Sequence, residues 1–373
     1  MLPNTAHLTV LIGPSVPVPP PQPVTEALQS VQVTSAMDRS GFQLTFTLGK
    51  TSPLQLLLVA GYFDPMITRV VVIVTFHGMP HVLMDGIVTR QELSPGNEPG
   101  QSTLTITGED LSVLMDVIEM KLPYPMPDAA KILSILARYA AYGIVPVVIP
   151  PPVITARMPT SGFDQQTGTD REYIQGIASQ SGYVFFVQPG PAPLTSTAYF
   201  GPDFRIPVPQ PALSVNSDAA TNVESLSFSL DGLAKRMMVM FVYDPITRKI
   251  PIPVPVPNIS PIHPPLGLRL TPPAKVQFSD ETASLAPDEA AKRAFGYMKQ
   301  GADAITGNGS LDVGRYGHVL RSRMLVGVRG AGLAYDGLYY VNSVTHNIKR
   351  GEFKQSFQLS RDGLISATPV VLP

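Results

Sequence analysis

The chain has 373 residues, 44% of them hydrophobic and 15% charged, with 27 Lys and Arg against 28 Asp and Glu, 40 Pro, 30 Gly and no Cys. That length accommodates two or three domains with their own cores, while the charged share falls well below the roughly 25% of ordinary soluble domains, as it would if partners cover much of the surface or if Pro and Gly have displaced charge. A net charge of −1 argues against a partner made of nucleic-acid backbone or anionic lipid, and the lack of Cys excludes disulfides and thiolate metal sites.

The N-terminus has no basic run, and its apolar stretch is too short for a signal peptide. Leu54 to Val74 is the most apolar internal stretch, but Gly61, Asp64, Pro65 and Arg69 interrupt it, short of the ~20 apolar residues of a spanning helix. Residues 1–24 read as a Pro-rich arm, with 14–23 (PSVPVPPPQP) in polyproline II. A first β-domain is expected over 25–108. Val31 and Val33 belong to one strand, and Phe42, Leu44, Phe46 and Leu48 alternate with polar residues in the next.

Residues 109–210 read as a helical and hairpin insertion. Leu111, Leu114, Met115 and Ile118 have helical spacing, as do Ile132, Ile135, Leu136 and Tyr139 in a helix ending at Gly143. Thr169 or Asp170 is placed to cap a third helix that Gly182 closes, and Tyr183–Val187 with Ala198–Gly201 reads as a hairpin. A second β-domain is expected over 211–365, with a Pro-rich and helical insertion at 245–314 and a tail at 366–373. In that insertion IPIPVPVP reads as an extended connector or, as the alternative, a ligand for a proline-binding module; Pro287 starts a helix carrying Ala290, Ala294, Tyr297 and Met298 on one side.

One pattern occurs twice. Residues 85–111 begin Asp85-Gly86, cross a Gly-containing turn and return through Leu104 and Ile106; residues 336–364 begin Asp336-Gly337 and return through Phe357 and Leu359, with spacing that differs by a turn's length. The upstream runs from Val70 to Gly78 and from Arg323 to Gly330 also correspond. The expected fold is therefore α+β, mainly β, with two similar β-barrel domains carrying helical and hairpin insertions. Three such chains would present six similar units.

Signatures of chemistry are missing: there is no P-loop, dinucleotide fingerprint, Gly-x-Ser-x-Gly or HExxH. Gly307-Asn308-Gly309 and Gly330-Ala331-Gly332 read as turns. His77 and His81 have Gly78 and Pro80 between them, so no helix aligns them as metal ligands, and His346 reads as a half-buried histidine donating to a backbone carbonyl. The acidic pairs Glu109-Asp110 and Asp280-Glu281 sit at helix starts, where they offset the helix dipole. No catalytic, cofactor or metal residue is assigned, and none of these His is expected to bind metal.

The run from Arg323 to Gly363 resembles the closing segment of the phage late control D family, the baseplate hub proteins of contractile tails and injection systems. The residues that carry the resemblance are Asp336, Gly337, Tyr339, Val341, Val344, His346, Gly351 and Arg361. TITGEDLSVLMD (105–116) resembles the family's strand-to-helix junction, and DREYIQGIASQSGYVFFV (170–187) followed by TAYFGP (197–202) its helix and hairpin. The likeness spans most of 25–365, leaving the Pro-rich segments unmatched. It implies a structural homotrimer, without cofactor or enzymatic activity, that adapts a six-fold inner tube to a three-fold spike alongside other baseplate proteins. Low charge and open strand edges lead to an expected interface of at least ~2,000 Å2 per contact. It also implies assembly in the cytoplasm, then residence in a phage tail or injection particle. With only ten residues after Gly363, the spike is expected to be a separate chain. The competing classes are a baseplate-associated cell-wall hydrolase and a Pro-rich peptide-interaction module.

Overall fold

The computed structural model describes residues 6–368 apart from 15, 38, 50–51, 98–100, 154–163, 206–207, 244–250, 258–263, 280–284, 286 and 300–302; the acidic pair Asp280-Glu281 lies outside the described residues. The fold is mainly β. Its first six strands are β1 (His7–Pro14), β2 (Leu28–Ser35), β3 (Gly41–Leu48), β4 (Thr68–Phe76), β5 (Met79–Ser94) and β6 (Ser102–Asp110). Alternation explains β3: Phe42, Leu44, Phe46 and Leu48 are buried and the residues between them half-exposed. The β4–β5 hairpin turns on two residues, His77 and Gly78, with φ of 51° and 78°, the left-handed pair that matches strand twist.

The insertion contributes β7 (Glu119–Tyr124), β8 (Ile144–Val148), β9 (Asp164–Thr169), β10 (Val184–Pro189) and β11 (Ser196–Gly201), with helices Asp128–Leu136 and Asp170–Ser181. Thr169 and Glu172 form a reciprocal capping box, and Gly182 at φ 69° closes the helix they start. Ile132, Ile135, Ile174, Ile177, Phe185 and Phe200 belong to this insertion's core.

Next come β12 (Gln210–Ser214) and β13 (Ser225–Leu230), then β14 (Arg236–Tyr243), β15 (Pro251–Val256), β16 (Gly267–Leu270) and β17 (Lys275–Ser279), the helix Pro287–Lys299, and finally β18 (Ile305–Asp312), β19 (Leu325–Arg329), β20 (Gly337–Lys349), β21 (Glu352–Arg361) and β22 (Gly363–Ser366).

Twelve of these strands share one sheet, in the order β1-β4-β5-β6-β3-β2-β20-β21-β18-β13, with β19 also on β20 and β12 on β19. The order contains a repeat. β1 to β6 are arranged 1-4-5-6-3-2, and β12, β13, β18, β19, β20 and β21, numbered within their own set, are arranged the same way. Every ladder among the last five strands of each set is antiparallel; the first strand differs, β1 running antiparallel to β4 and β12 parallel to β19. The two sets are joined where β2 pairs with β20, from Ser30 opposite Lys349 to Ser35 opposite Val344, and they share one core, in which Val33, Leu44, Val344 and Leu359 are fully buried. Each such side chain contributes about 1.5–3 kcal/mol.

The duplicated hairpin is present, but its Asp markers do not coincide. Both copies carry a bulge, after Val88 opposite Gly108 and after Val341 opposite Leu359. With those bulges aligned, Asp85 corresponds to Leu338 rather than Asp336, a shift of two residues. The shift preserves the buried face because side chains alternate with period two.

Several segments depart from the sequence expectation. Residues 7–14, expected in an arm, form β1, because Val10 and Ile12 find burial against β4. The helix expected from Leu111 is a 3₁₀ turn, Leu111–Asp116, with Asp110 accepting from the Ser112 amide; the chain then extends into β7 and leaves Ile118 63% exposed. IPIPVPVP includes an edge strand, β15, rather than a mere connector. Its prolines alternate at 251, 253 and 255, so their missing donors all fall on one edge.

Gly307 and Gly309 are in β18 rather than a turn, so residues 305–312 belong to the main sheet and not to the 245–314 insertion. A Cβ on Gly307 would lie 2.8 Å from the Phe228 ring, and one on Gly309 would lie 2.6 Å from the Phe357 ring and 2.5 Å from the Ser225 carbonyl oxygen. Glycine here makes room for aromatic rings. Gly309→Ala is therefore expected to lose about 1–3 kcal/mol to overpacking, measured as a lower urea midpoint at constant m-value.

Candidate functional site

Four of the residues that carry the sequence motif, Asp336, Gly337, Tyr339 and Arg361, converge on the loop before β20. Gly330 and Gly332 reverse the chain at φ of 85° and 95°, and the Asp336 carboxylate accepts from the Ala331 amide at 2.7 Å. Arg361, with no exposed surface, donates to the carbonyls of Gly363 (2.8 Å), Asp336 (2.9 Å) and Ala334 (2.8 Å). Its guanidinium lies 4.3 Å from the centre of the Tyr339 ring, whose hydroxyl donates to the Tyr335 carbonyl. Gly337 is at φ 123°, where a Cβ would meet Ser366 at 2.2 Å. These groups hold backbone, and Arg361 uses its fork geometry to do so.

His346 is on the core face of β20 and is 4% exposed. Its described partner is a side chain. Its Nδ1 lies 3.0 Å from the Gln355 amide nitrogen, while Gln355 also exchanges hydrogen bonds with the Leu320 backbone in both directions. Nδ1 thus accepts, leaving the proton on Nε2. Burial, then the nearby Arg321 and His81, lower its pKa to about 3. Arg321 lies 2.8 Å from His81 Nδ1, and His81 is lowered as well, first by burial and then by Arg321. His77 stays in the hairpin turn, stacked on Phe76, so the two histidines are not brought together as a ligand pair. Arg321 and His346, with Phe186, Tyr340 and Asp203, line a groove of about 740 Å3.

A histidine whose folded pKa lies below its unfolded value contributes stability that is complete above pH 6.5 and lost as pH falls toward 3. Stability is expected to drop by up to about 1.4 kcal/mol per pH unit across that window. His346→Gln should remove that part of the slope, as read by urea titrations at pH 7 and pH 5.

Arg69 and Asp85 form a buried bidentate pair, Nε to Oδ1 at 2.7 Å and Nη2 to Oδ2 at 2.6 Å, with side-chain exposures of 5% and 0%. Ser196 donates to the same carboxylate, and Arg69 reaches the Leu194 carbonyl, so the pair ties β4 and β5 to the insertion. Asp85 was legible as a repeat marker, but its partner was not. The signal was a lone Arg69 ahead of six consecutive β-branched residues.

A second cluster gathers Asp128, Lys131, Asp164 and Lys292. Burial alone would raise the Asp128 pKa, but Lys292 and Lys131 outweigh it and hold the carboxyl below its usual range. Glu109 pairs with Arg39, and Asp110 accepts from the Ser40 and Ser112 amides. Among the described residues no three His, Asp or Glu converge as a metal set, and no helix is long and apolar enough to cross a membrane.

No protein-family model and no curated protein matches this chain. Solved structures do. It is similar to the tail protein from Neisseria meningitidis MC58, at 15% identity and a TM-score of 0.59 over 96% of this chain and 98% of that one. It is similar to the prophage MuSo2 43 kDa tail protein from Shewanella oneidensis, at 12% identity and 0.59 over 96% and 100%. A third structure is the E. coli c3393 protein, described as a component of the type VI secretion system, at 11% identity and 0.52 over 93% and 77%. The fold is that of phage tail and type VI spike-related proteins.

Proposed function

We propose that the protein is the structural baseplate hub of a phage tail or contractile injection particle, a homotrimer that adapts a six-fold inner tube to a three-fold spike. The observation that carries this reading is the strand order 1-4-5-6-3-2 occurring twice in one chain: three chains supply six near-equivalent units to a six-fold tube and keep three-fold symmetry for a spike. Its partners are the inner tube protein, a spike protein and other baseplate proteins. Similarity to a PdpA–VgrG complex, at 8% identity and a TM-score of 0.58 over 99% of this chain and 67% of that one, supports a place among spike components.

A structural role also fits the titratable groups. A wall-degrading glycosidase needs a carboxyl with a raised pKa to act as acid; the buried Asp128 is shifted the other way, and Asp362, which burial raises, has an oxygen engaged by the Leu266 and Gly267 amides. Purified protein is expected to leave a peptidoglycan suspension turbid. Counting chains at the baseplate by cryo-EM tests the main reading. Three copies between tube and spike are expected; a six-fold ring of this chain, or a single copy, would refute it.

A further inference from the structure

Apart from the first strand, antiparallel on β4 but parallel on β19, the two strand sets differ at one edge. In the second set the edge of β20 carries two strands end to end, β19 along Gly337–Tyr340 and β2 along Val344–Lys349. In the first set β5 carries β4 along Met79–Ile87, and the Met66 amide takes the Val88 carbonyl at 2.7 Å. Beyond that point, from Thr89 to Ser94, β5 has β6 on one edge and no described strand on the other. The place that β2 fills on β20 is thus open on β5.

The strand that corresponds to β2 is β13, which ends the sheet with β18 as its one described ladder partner. Its burial shows the difference. Val31 and Val33 of β2 are 1% and 0% exposed, whereas Leu226 and Phe228 of β13 are only half-buried and Leu230 is 40% exposed. On the other side, Val344 and His346 of β20 are buried, while their counterparts Gln91 and Leu93 are exposed, Leu93 by 51%. Open strand edges with half-covered apolar residues are templates for another chain, and the internal repeat identifies that chain.

We infer that β13 of one copy pairs antiparallel with Arg90–Ser94 of β5 in a second copy, repeating between chains the β2–β20 ladder within one. The bulges and ladders set the register. Val88 corresponds to Val341, Gln43 to Asn308 and Gln32 to Ser227. Thr34 opposite Thr345 and Val33 opposite His346 then become Ser229 opposite Glu92 and Phe228 opposite Leu93. The chemistry matches face by face. Phe228 and Leu93 close the core side. Ser229 and Ser227 meet Glu92 and Ser94 on the polar side, where the internal junction has Thr34 bonded to Thr345 at 3.1 Å and Gln32 to Asn347 at 3.0 Å. The two open edges differ, so the contact is head-to-tail and must close into a ring or run on as a filament. Closure at three copies rests on the hub reading; the pairing does not.

Cysteine cross-linking of the full chain in its assembled form tests this, since the chain has no Cys of its own. Ser229→Cys with Glu92→Cys, and separately Leu230→Cys with Gln91→Cys, place thiols at adjacent cross-strand positions of opposite hydrogen-bonding type. At least one pair then meets the Cα separation of about 4.4–6.8 Å that a disulfide needs. Ser227→Cys with Glu92→Cys is the diagonal control, at about 7–8 Å. Mild oxidation should move most of the chain to three times its mass on a non-reducing gel for at least one matched pair and not for the control, with native mass giving a trimer in each case. A native trimer with neither matched pair linked overturns the strand pairing and leaves the hub reading standing. Linked ladders that run past three copies support the pairing and overturn closure at three. Unlinked monomer in the particle overturns both.

Discussion

Replacing Asp85 by Ala is expected to destabilise the protein by about 3–5 kcal/mol, because it leaves the Arg69 guanidinium buried without its counter-charge. Both side chains are almost fully shielded and joined by two short hydrogen bonds. The loss should appear as a lower urea midpoint, and it should extend to the insertion, since Ser196 and the Leu194 carbonyl also lean on the pair. Arg69→Met combined with Asp85→Leu should recover most of the stability, because two apolar side chains of similar volume remove the desolvation problem. A small cost for Asp85→Ala, near the 0–1 kcal/mol of a surface pair, would show that water reaches this site.

Arg361→Met is expected to cost about 3 kcal/mol or more, since three carbonyls lose their donor at ~1–3 kcal/mol for each left unsatisfied. The conservative change Arg361→Lys should recover little. One ammonium cannot span the carbonyls of Gly363, Asp336 and Ala334 while sitting over the Tyr339 ring as the guanidinium does. Hydrogen exchange gives the local reading: the Ala331 and Ile365 amides, bonded to Asp336 and to the Ala334 carbonyl, should exchange faster in both variants while those of β3 stay protected. Uniform acceleration across the sheet would instead mean that the loop is not an independent unit.

The residues around Arg361 show how far the sequence reached. Asp336, Gly337, Tyr339, Val341, Val344, His346, Gly351 and Arg361 were recognisable together as a motif, and the structure gives the reasons: Asp336, Gly337, Tyr339 and Arg361 hold one loop, Val341 and Val344 lie in the core, and Gly351 turns the β20–β21 hairpin at φ 77°. His346 was correctly set on the core face, but its Gln355 partner comes from β21, across the hairpin, and no local pattern names it. The cluster of Arg321, His81 and His346 brings together three segments remote in sequence.

Sequence alone determined what depends on neighbours along the chain. The alternation in β3 and β21, the Thr169 capping box, the left-handed glycines at 143 and 182, and the presence of two similar hairpins follow from which side chains must leave water and which backbones can reverse. The tertiary structure alone decided which edges meet. β1 is a strand because β4 lies beside it, Pro251 to Val256 is a strand because β14 offers an edge, and the two units form one sheet because β2 finds β20 more than 300 residues away. Strand pairing is a property of two segments at once. Its register was set by bulges at Thr89 and Asn342, equivalent points of the two copies, against which the Asp-Gly markers stand two residues out of step.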